Sequence, residues 1–377
     1  MLSKRWLCAA VFVLLTASAG IVTAQLSPDE ELGKYLFFDT NLSTPPGQSC
    51  AACHDPAVGY TGPDSNINAH GAVYPGAANT ISDPRFGNRK PPSAAYAGDS
   101  PILALVKGTW TGGMFWDGRA TGWRLGDPLA EQALGPFLNP LEQNLASPDD
   151  VVSKVEASSY SGLFTQICGD NTVFVSDRYD CIGRAIAAYE RSNEVTKFTS
   201  EFDKEILSPL ENKGLGLFRG KGKCDRCHTS TGKKALFTDF TYDNLGVPKN
   251  PDNPFYNMPS EYNPDGVNWI DLGLGGFLKI KAEEGKMKVP TLRNVAKGSC
   301  EVEPDNPECI IKAYAHNGYF KSLKSIVHFY NTRDVPEAGW PAPEVSQNMN
   351  TKELGNLGLT SAEEDAIVAF LGTLSDK

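Results

Sequence analysis

Cys50-Ala51-Ala52-Cys53-His54 and Cys224-Asp225-Arg226-Cys227-His228 share one spacing: two cysteines separated by two residues, with a histidine immediately after. Two intervening residues put both sulfurs on one side of a tight helical turn. There they can add to the two vinyl groups of a haem, and the histidine that follows points at the iron. A zinc site built from the same cysteines is the competing chemistry. It needs its second pair about 15 to 20 residues downstream. Here 170 residues separate the pairs, and each pair carries its own histidine. The chain therefore reads as a dihaem c-type protein that uses Cys50, Cys53, His54, Cys224, Cys227 and His228.

Haem attachment of this kind belongs to an exported protein, and the N-terminus supplies the address. Lys4 and Arg5 precede an apolar run from Trp6 to Leu15, then Val22-Thr23-Ala24 before Gln25, the pattern of a cleavable secretory signal over residues 1–24. The apolar run is too short to span a bilayer and no later stretch reaches the needed length, so a periplasmic protein without a membrane span is expected. Cys8 leaves with the signal and four cysteines hold haem. The other four, Cys168, Cys181, Cys300 and Cys309, fall as two sequence-local pairs among Gly, Asp, Asn and Pro, which predicts disulfides Cys168 to Cys181 and Cys300 to Cys309. Loss of Lys4 and Arg5 turns 35 basic and 45 acidic side chains into 33 and 45, a net charge of −12, which excludes nucleic acid as a partner class.

The elements that must hold the haems are mainly helical and repeat once. Gly33-Lys34-Tyr35-Leu36-Phe37 precedes the first site as Gly214-Leu215-Gly216-Leu217-Phe218 precedes the second; Ala185-Ile186-Ala187-Ala188-Tyr189 is echoed by Ala366-Ile367-Val368-Ala369-Phe370. Ser27-Pro28-Asp29-Glu30 and Thr360-Ser361-Ala362-Glu363 are capping boxes that start helices. Roughly 350 residues after the signal exceed one ordinary core. Two cytochrome c-like domains are expected, 25–205 and 206–377, with long haem-wrapping loops at 56–94 and 243–268 and little alternation to suggest sheet.

Beyond the haem strings, Phe115-Trp116-Asp117-Gly118-Arg119-Ala120, Glu131-Gln132-Ala133-Leu134-Gly135-Pro136 with Asn139-Pro140, and Val289-Pro290-Thr291-Leu292-Arg293-Asn294-Val295 stand out. With these strings the chain resembles the bacterial dihaem cytochrome c peroxidases and their relatives MauG and MbnH over most of its length. The resemblance implies that the N-terminal haem, ligated by His54, meets hydrogen peroxide while the C-terminal haem handles electrons. Gln132 and Glu142 keep the family's ten-residue separation, which gives Glu142 the acid-base role. Trp116 would lie between the haems as a relay, although six extra residues follow Ala120.

Leu323, Ile326, Val327 and Tyr330 share one helical face, and Tyr330 matches the position of the second haem's sixth ligand. Methionine stands there in the peroxidases proper and tyrosine in MauG and MbnH; Met258 and Met287 are the other candidates in this chain. A phenolate stabilises oxidised iron and lowers its potential. His328 falls off that face, toward solvent. His70, sixteen residues after His54, is a candidate resting-state ligand of the first iron. The family's interhaem calcium uses an asparagine where this chain has Lys90, so calcium stays open and the Lys90 ammonium is a candidate substitute. MauG carries a surface tryptophan just upstream of its second haem site, where Lys221-Gly222-Lys223 stands here; Trp269 and Trp340 remain as possible relays.

Three functions follow. The first is a MauG-like or MbnH-like oxidoreductase that uses peroxide to form high-valent haem iron and oxidises aromatic residues of a partner protein, as Tyr330 favours. The second is a cytochrome c peroxidase that detoxifies peroxide with electrons from a small redox protein, with His70 in its resting site. The third is a non-enzymatic dihaem electron carrier, against which Gln132 and Glu142 argue.

Overall fold

Two glycines mark where the chain crosses itself. A Cβ on Gly33 would stand 1.9 Å from the Ala185 carbonyl oxygen, and a Cβ on Gly214 would stand 1.9 Å from that of Ala366. Only a residue without a side chain lets each helix pair approach so closely. The four strings that echo one another in sequence are thus two copies of one helix crossing.

The computed structural model describes residues 25–377; the expected signal at 1–24 lies outside the described residues. Among the described residues the helices are α1 (Pro28–Phe38), α2 (Ser65–Ala69), α3 (Pro128–Leu138), α4 (Pro148–Glu156), α5 (Ser161–Cys168), α6 (Val175–Arg191), α7 (Pro209–Arg219), α8 (Gly273–Leu278), α9 (Leu323–Thr332) and α10 (Ser361–Gly372). Strands are short: β1 (Ala104–Val106) pairs antiparallel with β2 (Thr109–Thr111), and β3 (Tyr242–Asp243) with β4 (Met287–Lys288). The chain is mainly α, with two small ribbons that period-2 alternation did not announce.

Capping boxes start α1 at Ser27 and Glu30 and α10 at Thr360 and Glu363, and a third starts α7 at Ser208 and Glu211. One apolar core gathers Leu32, Leu36, Phe37, Phe137, Ile182, Ile186 and Tyr189; a second gathers Phe218, Phe237, Phe320, Phe329, Ile367 and Phe370. Phe198 packs on the first and Phe202 on the second, so the chain passes between cores there. Both expected disulfides form, Cys168 to Cys181 and Cys300 to Cys309.

The duplication extends to loops whose sequences do not show it. Met114 N donates to Ala120 O and Tyr314 N to Phe320 O, both at 2.8 Å, closing two equivalent turns with left-handed Phe115 and Ala315. Trp116 and His316 occupy the same place in these turns. The backbone then exchanges partners across the two halves, since Lys288 N donates to Trp116 O and Lys90 N to His316 O, each at 2.8 Å. The C-terminus ties back to the first half, with Asp376 accepting from the Tyr96 hydroxyl at 2.6 Å.

Candidate haem centres

Both pentads fold as a single tight turn. The His54 amide donates to Cys50 O at 3.0 Å and the His228 amide to Cys224 O at 2.9 Å. Each imidazole is then fixed through Nδ1, which pairs with Tyr60 O at 3.2 Å in the first turn and with Phe237 O at 2.8 Å in the second. A carbonyl partner makes Nδ1 the protonated nitrogen and leaves Nε2 bare for a metal. Burial pulls His54 down to about 4 and lowers His228, which favours the neutral ring that a metal requires.

Each turn faces a cavity. The first has about 1180 Å³ of empty space and is lined by Cys50, Cys53, His54, Gln132, Pro136 and Glu142; the second has about 1790 Å³ and is lined by Cys224, Cys227, His228, Met287 and Tyr330, both volumes including space open to solvent. The residues fit two haems. Cys50, Cys53, Cys224 and Cys227 are free thiols while the other four described cysteines are paired. Buried Lys90 and Lys312 and half-buried Lys288, all lining the second cavity, have amino groups whose hydrogen bonds go to neutral oxygens. Burial lowers Lys90 to about 8 and Lys288 to about 7, and drives Lys312 well down. Haem carboxylates are the anions such a cluster lacks.

In the first cavity Gln132 and Pro136 lie one turn apart on α3. Glu142 follows in a turn in which Asn139 Nδ2 donates to its Oε1 at 3.0 Å. Burial raises the Glu142 carboxyl, opposed by the Arg119 charge and the Asn139 amide. Arg119 chelates Asp117 at 3.0 Å and lies 3.7 Å above the Phe115 ring. The segment after Ala120 is held by one carboxylate, for Glu131 accepts from the amides of Gly122, Arg124 and Leu125 at 2.7, 2.7 and 2.8 Å. Sequence reasoning missed two more lining groups. Glu190 of α6 is pushed up to about 8 by burial with Oε2 unpartnered, and the Gln143 amide has no partner at either end.

Leu323, Ile326, Val327 and Tyr330 of α9 all line the second cavity. Burial raises the Tyr330 phenol well above its usual value, and no protein hydrogen bond engages its hydroxyl. Met287 of β4 shares that cavity, whereas Met258 is buried outside both.

Trp116 lines both cavities. Its Nε1 donates to Lys90 O at 2.8 Å and its ring centroid is 6.4 Å from that of His316. Lys90 Nζ donates to Thr61 Oγ1 at 2.8 Å and to Pro91 O at 2.9 Å. A buried bridge joins the halves beneath: Arg89 reaches Asp271 at 2.6 and 2.7 Å and Asp117 at 2.7 Å.

Other sequence candidates lie apart. His70 is exposed at the end of α2, with Nδ1 on Asn66 O at 2.8 Å, and does not line the first cavity. His328 is half exposed but pairs with buried Glu364 at 2.9 Å. Trp340 packs behind α9 against Phe329 and Phe320, and Trp269 packs on Phe255 and Tyr256.

No helix among the described residues is long and apolar enough to cross a membrane. Residues 27–208 match the family model for di-haem cytochrome c peroxidase. The methylamine utilization protein MauG of Paracoccus denitrificans is 32% identical over 99% of this chain and 96% of its own length. Cytochrome c551 peroxidase of Nitrosomonas europaea is 31% identical over 74% of this chain and 73% of its own. Among solved structures, the diheme peroxidase BthA of Burkholderia thailandensis superposes with a TM-score of 0.76 at 31% identity, covering 93% of this chain and 87% of that one. Paired haem turns, a tryptophan between two cavities and full-length similarity to MauG agree: the chain belongs to the dihaem cytochrome c peroxidase and MauG family, and is a haem-dependent peroxidase-type oxidoreductase.

Proposed function

We propose that the chain carries two haems attached through Cys50 and Cys53 and through Cys224 and Cys227, and uses hydrogen peroxide at the first to oxidise aromatic residues of a partner protein. Residues 25–205 would serve the peroxide-reactive haem and 206–377 the electron-transfer haem, with the loops at 56–94 and 243–268 wrapping them, in the periplasm after loss of residues 1–24. The observation that carries this reading is the contrast between the cavities: Gln132 and Glu142 share one, and Tyr330 the other.

Bound haem supplies the iron chemistry of peroxide reduction. The chain supplies the rest. Glu142, whose affinity for protons burial increases, takes a proton from peroxide and returns it to the departing oxygen, so that the O–O bond breaks heterolytically. Asn139 holds its carboxylate in register, and Gln132, in the same cavity, would offer its amide to peroxide. His54 would hold the first haem iron, and His228 and Tyr330 the second, where an anionic donor would favour the oxidised state. Trp116 conducts between the two. The Lys90 ammonium provides the fixed positive charge that the family obtains from calcium.

One equivalent of peroxide added to the oxidised holoprotein, with no reductant, tests the reading. A lasting spectral change at both haems supports it, a requirement for prior reduction of one haem selects the detoxifying peroxidase, and no reaction leaves an electron carrier.

A further inference from the structure

Trp269 lies on a segment that the chemistry above leaves unused. Its ring is 4.9 Å from Phe255 and 6.2 Å from Tyr256, and Lys249 sits 4.1 Å over Tyr256 while its Nζ donates to Val267 O and Trp269 O at 2.6 and 2.9 Å. Two connections run inward from it. Asp271, two residues on, is held by Arg89, whose other arm grips Asp117 beside Trp116. Glu344 accepts from Asp271 N at 3.2 Å with one oxygen and faces His316 Nε2 at 3.9 Å with the other, and His316 stacks edge-on to Trp116. The Tyr256 hydroxyl is buried without a partner, close enough to Glu344 and Asp271 for their charges to raise it further.

Outward, the same segment presents apolar surface. Val267 is 65% exposed, Ile270 48% and Leu272 36%. Exposed carboxylates of Asp252, Glu261 and Asp265 lie on the same segment. Trp340 has neither feature: Phe320, Phe329 and His328 crowd its ring, and its Nε1 is spent on Thr332 at 3.0 Å.

We propose that Trp269 is the exit through which the protein draws electrons from its partner, and that the partner is a protein with a basic rim around an exposed tyrosine or tryptophan, seated on Val267, Ile270 and Leu272. This rests on the reading that a protein is oxidised. Trp269 gives one electron inward toward Trp116, then recovers one from the partner's phenol, whose proton passes to water. Two such transfers reduce one peroxide to two waters, taking up two protons, and the two phenoxyl radicals join as a dityrosine bond. The acidic, apolar surface draws in a basic partner by steering and holds it by burial.

The test uses full-length holoprotein, peroxide and a lysine-rich peptide carrying one tyrosine. With peroxide alone, peptide mapping by mass spectrometry should find oxygen added to Trp269 ahead of Trp123 and Trp340, and the lysine-rich peptide should protect it. Trp269→Phe should slow dityrosine formation about tenfold, while Trp123→Phe should leave it unchanged. Ile270→Lys, at an exposed position, should raise the KM for the peptide without altering either haem spectrum. Oxidation of Trp340 or Trp123 with Trp269 untouched overturns the exit, and an equally reactive glutamate-rich peptide overturns the basic partner. If Trp269 is oxidised yet no peptide couples, the exit stands and the protein-oxidation reading falls.

Discussion

The rings of Trp116 and His316 stand 6.4 Å apart at 68°, and they occupy the same position in two copies of one turn. Duplication alone would make a symmetric junction. Divergence at this one position puts an indole that lines both cavities against an imidazole that faces Glu344. Each copy's turn is stitched to the other by the Lys90 and Lys288 amides, so neither ring can shift without moving the opposite half.

Trp116→Phe removes the indole N–H that satisfies the buried Lys90 carbonyl, which should cost about 1 to 3 kcal/mol of stability. Each haem should keep its own spectrum. Electron exchange between them should slow, read as a second kinetic phase when one haem is reduced in a stopped-flow experiment; a single unchanged phase would exclude Trp116 as the conductor.

Tyr330→Phe should alter the spectrum of one haem and leave the other alone. With Tyr330 as the proposed ligand, the wild type should also lack the near-infrared band of methionine-ligated ferric iron, although Met287 lines the same cavity. Met287→Leu should therefore be spectrally silent, and a lost band in that variant would reassign the site.

Glu142→Gln keeps the side-chain volume and the Asn139 contact while removing the proton carrier. The reaction with peroxide should slow by about 10²- to 10⁴-fold, the usual worth of acid-base assistance. Cyanide binding to the same haem should persist, since the cavity is unchanged; equal loss of both would mean a collapsed site rather than a missing acid.

Much of this was legible in the sequence, and the reason differs by feature. Haem pentads, the disulfide pairs and the capping boxes are local, so spacing suffices. Gly33 and Gly214 were readable because each precedes a Phe in a repeated string, and the α9 face because its residues recur at helical intervals. The Arg89 bridge was not, since Asp117 and Asp271 lie 154 residues apart and only the fold brings both to one guanidinium. Glu190 escaped for a related reason: on an amphipathic helix an acid reads as solvated, and only packing against the first cavity buries it. His316 hid as well, because turn equivalence is a property of backbone hydrogen bonds, not of residue type.

Lys90→Met keeps the aliphatic stem but strips Thr61 Oγ1 of its donor and Pro91 O of one of two, since the Thr61 hydroxyl still donates to that carbonyl. A loss of about 1 to 3 kcal/mol is expected. Elemental analysis of the wild type should find no stoichiometric calcium, and a chelator should leave its Tm unchanged; a chelator-sensitive Tm would restore the metal and dismiss the ammonium.

Two buried carboxyls give opposite pH signatures. Glu190 is raised to about 8 by burial, so the unfolded chain releases this proton first and stability falls as pH climbs from the usual glutamate range toward 8. At pH 7 the cost is about 3 kcal/mol, from 1.36 kcal/mol per unit. Asp271 is held down at about 2, with the Arg89 charge and its hydrogen bonds overcoming burial. Its contribution, about 2 kcal/mol, is complete above the usual aspartate value and disappears as pH falls toward 2. Melting curves of the holoprotein should separate the two. Glu190→Gln should raise Tm at pH 7 and converge with wild type near pH 4. Asp271→Asn should lower Tm at pH 7, with the gap narrowing only below pH 4. Parallel Tm profiles across pH 3 to 8 would mean that neither carboxyl titrates as its surroundings dictate.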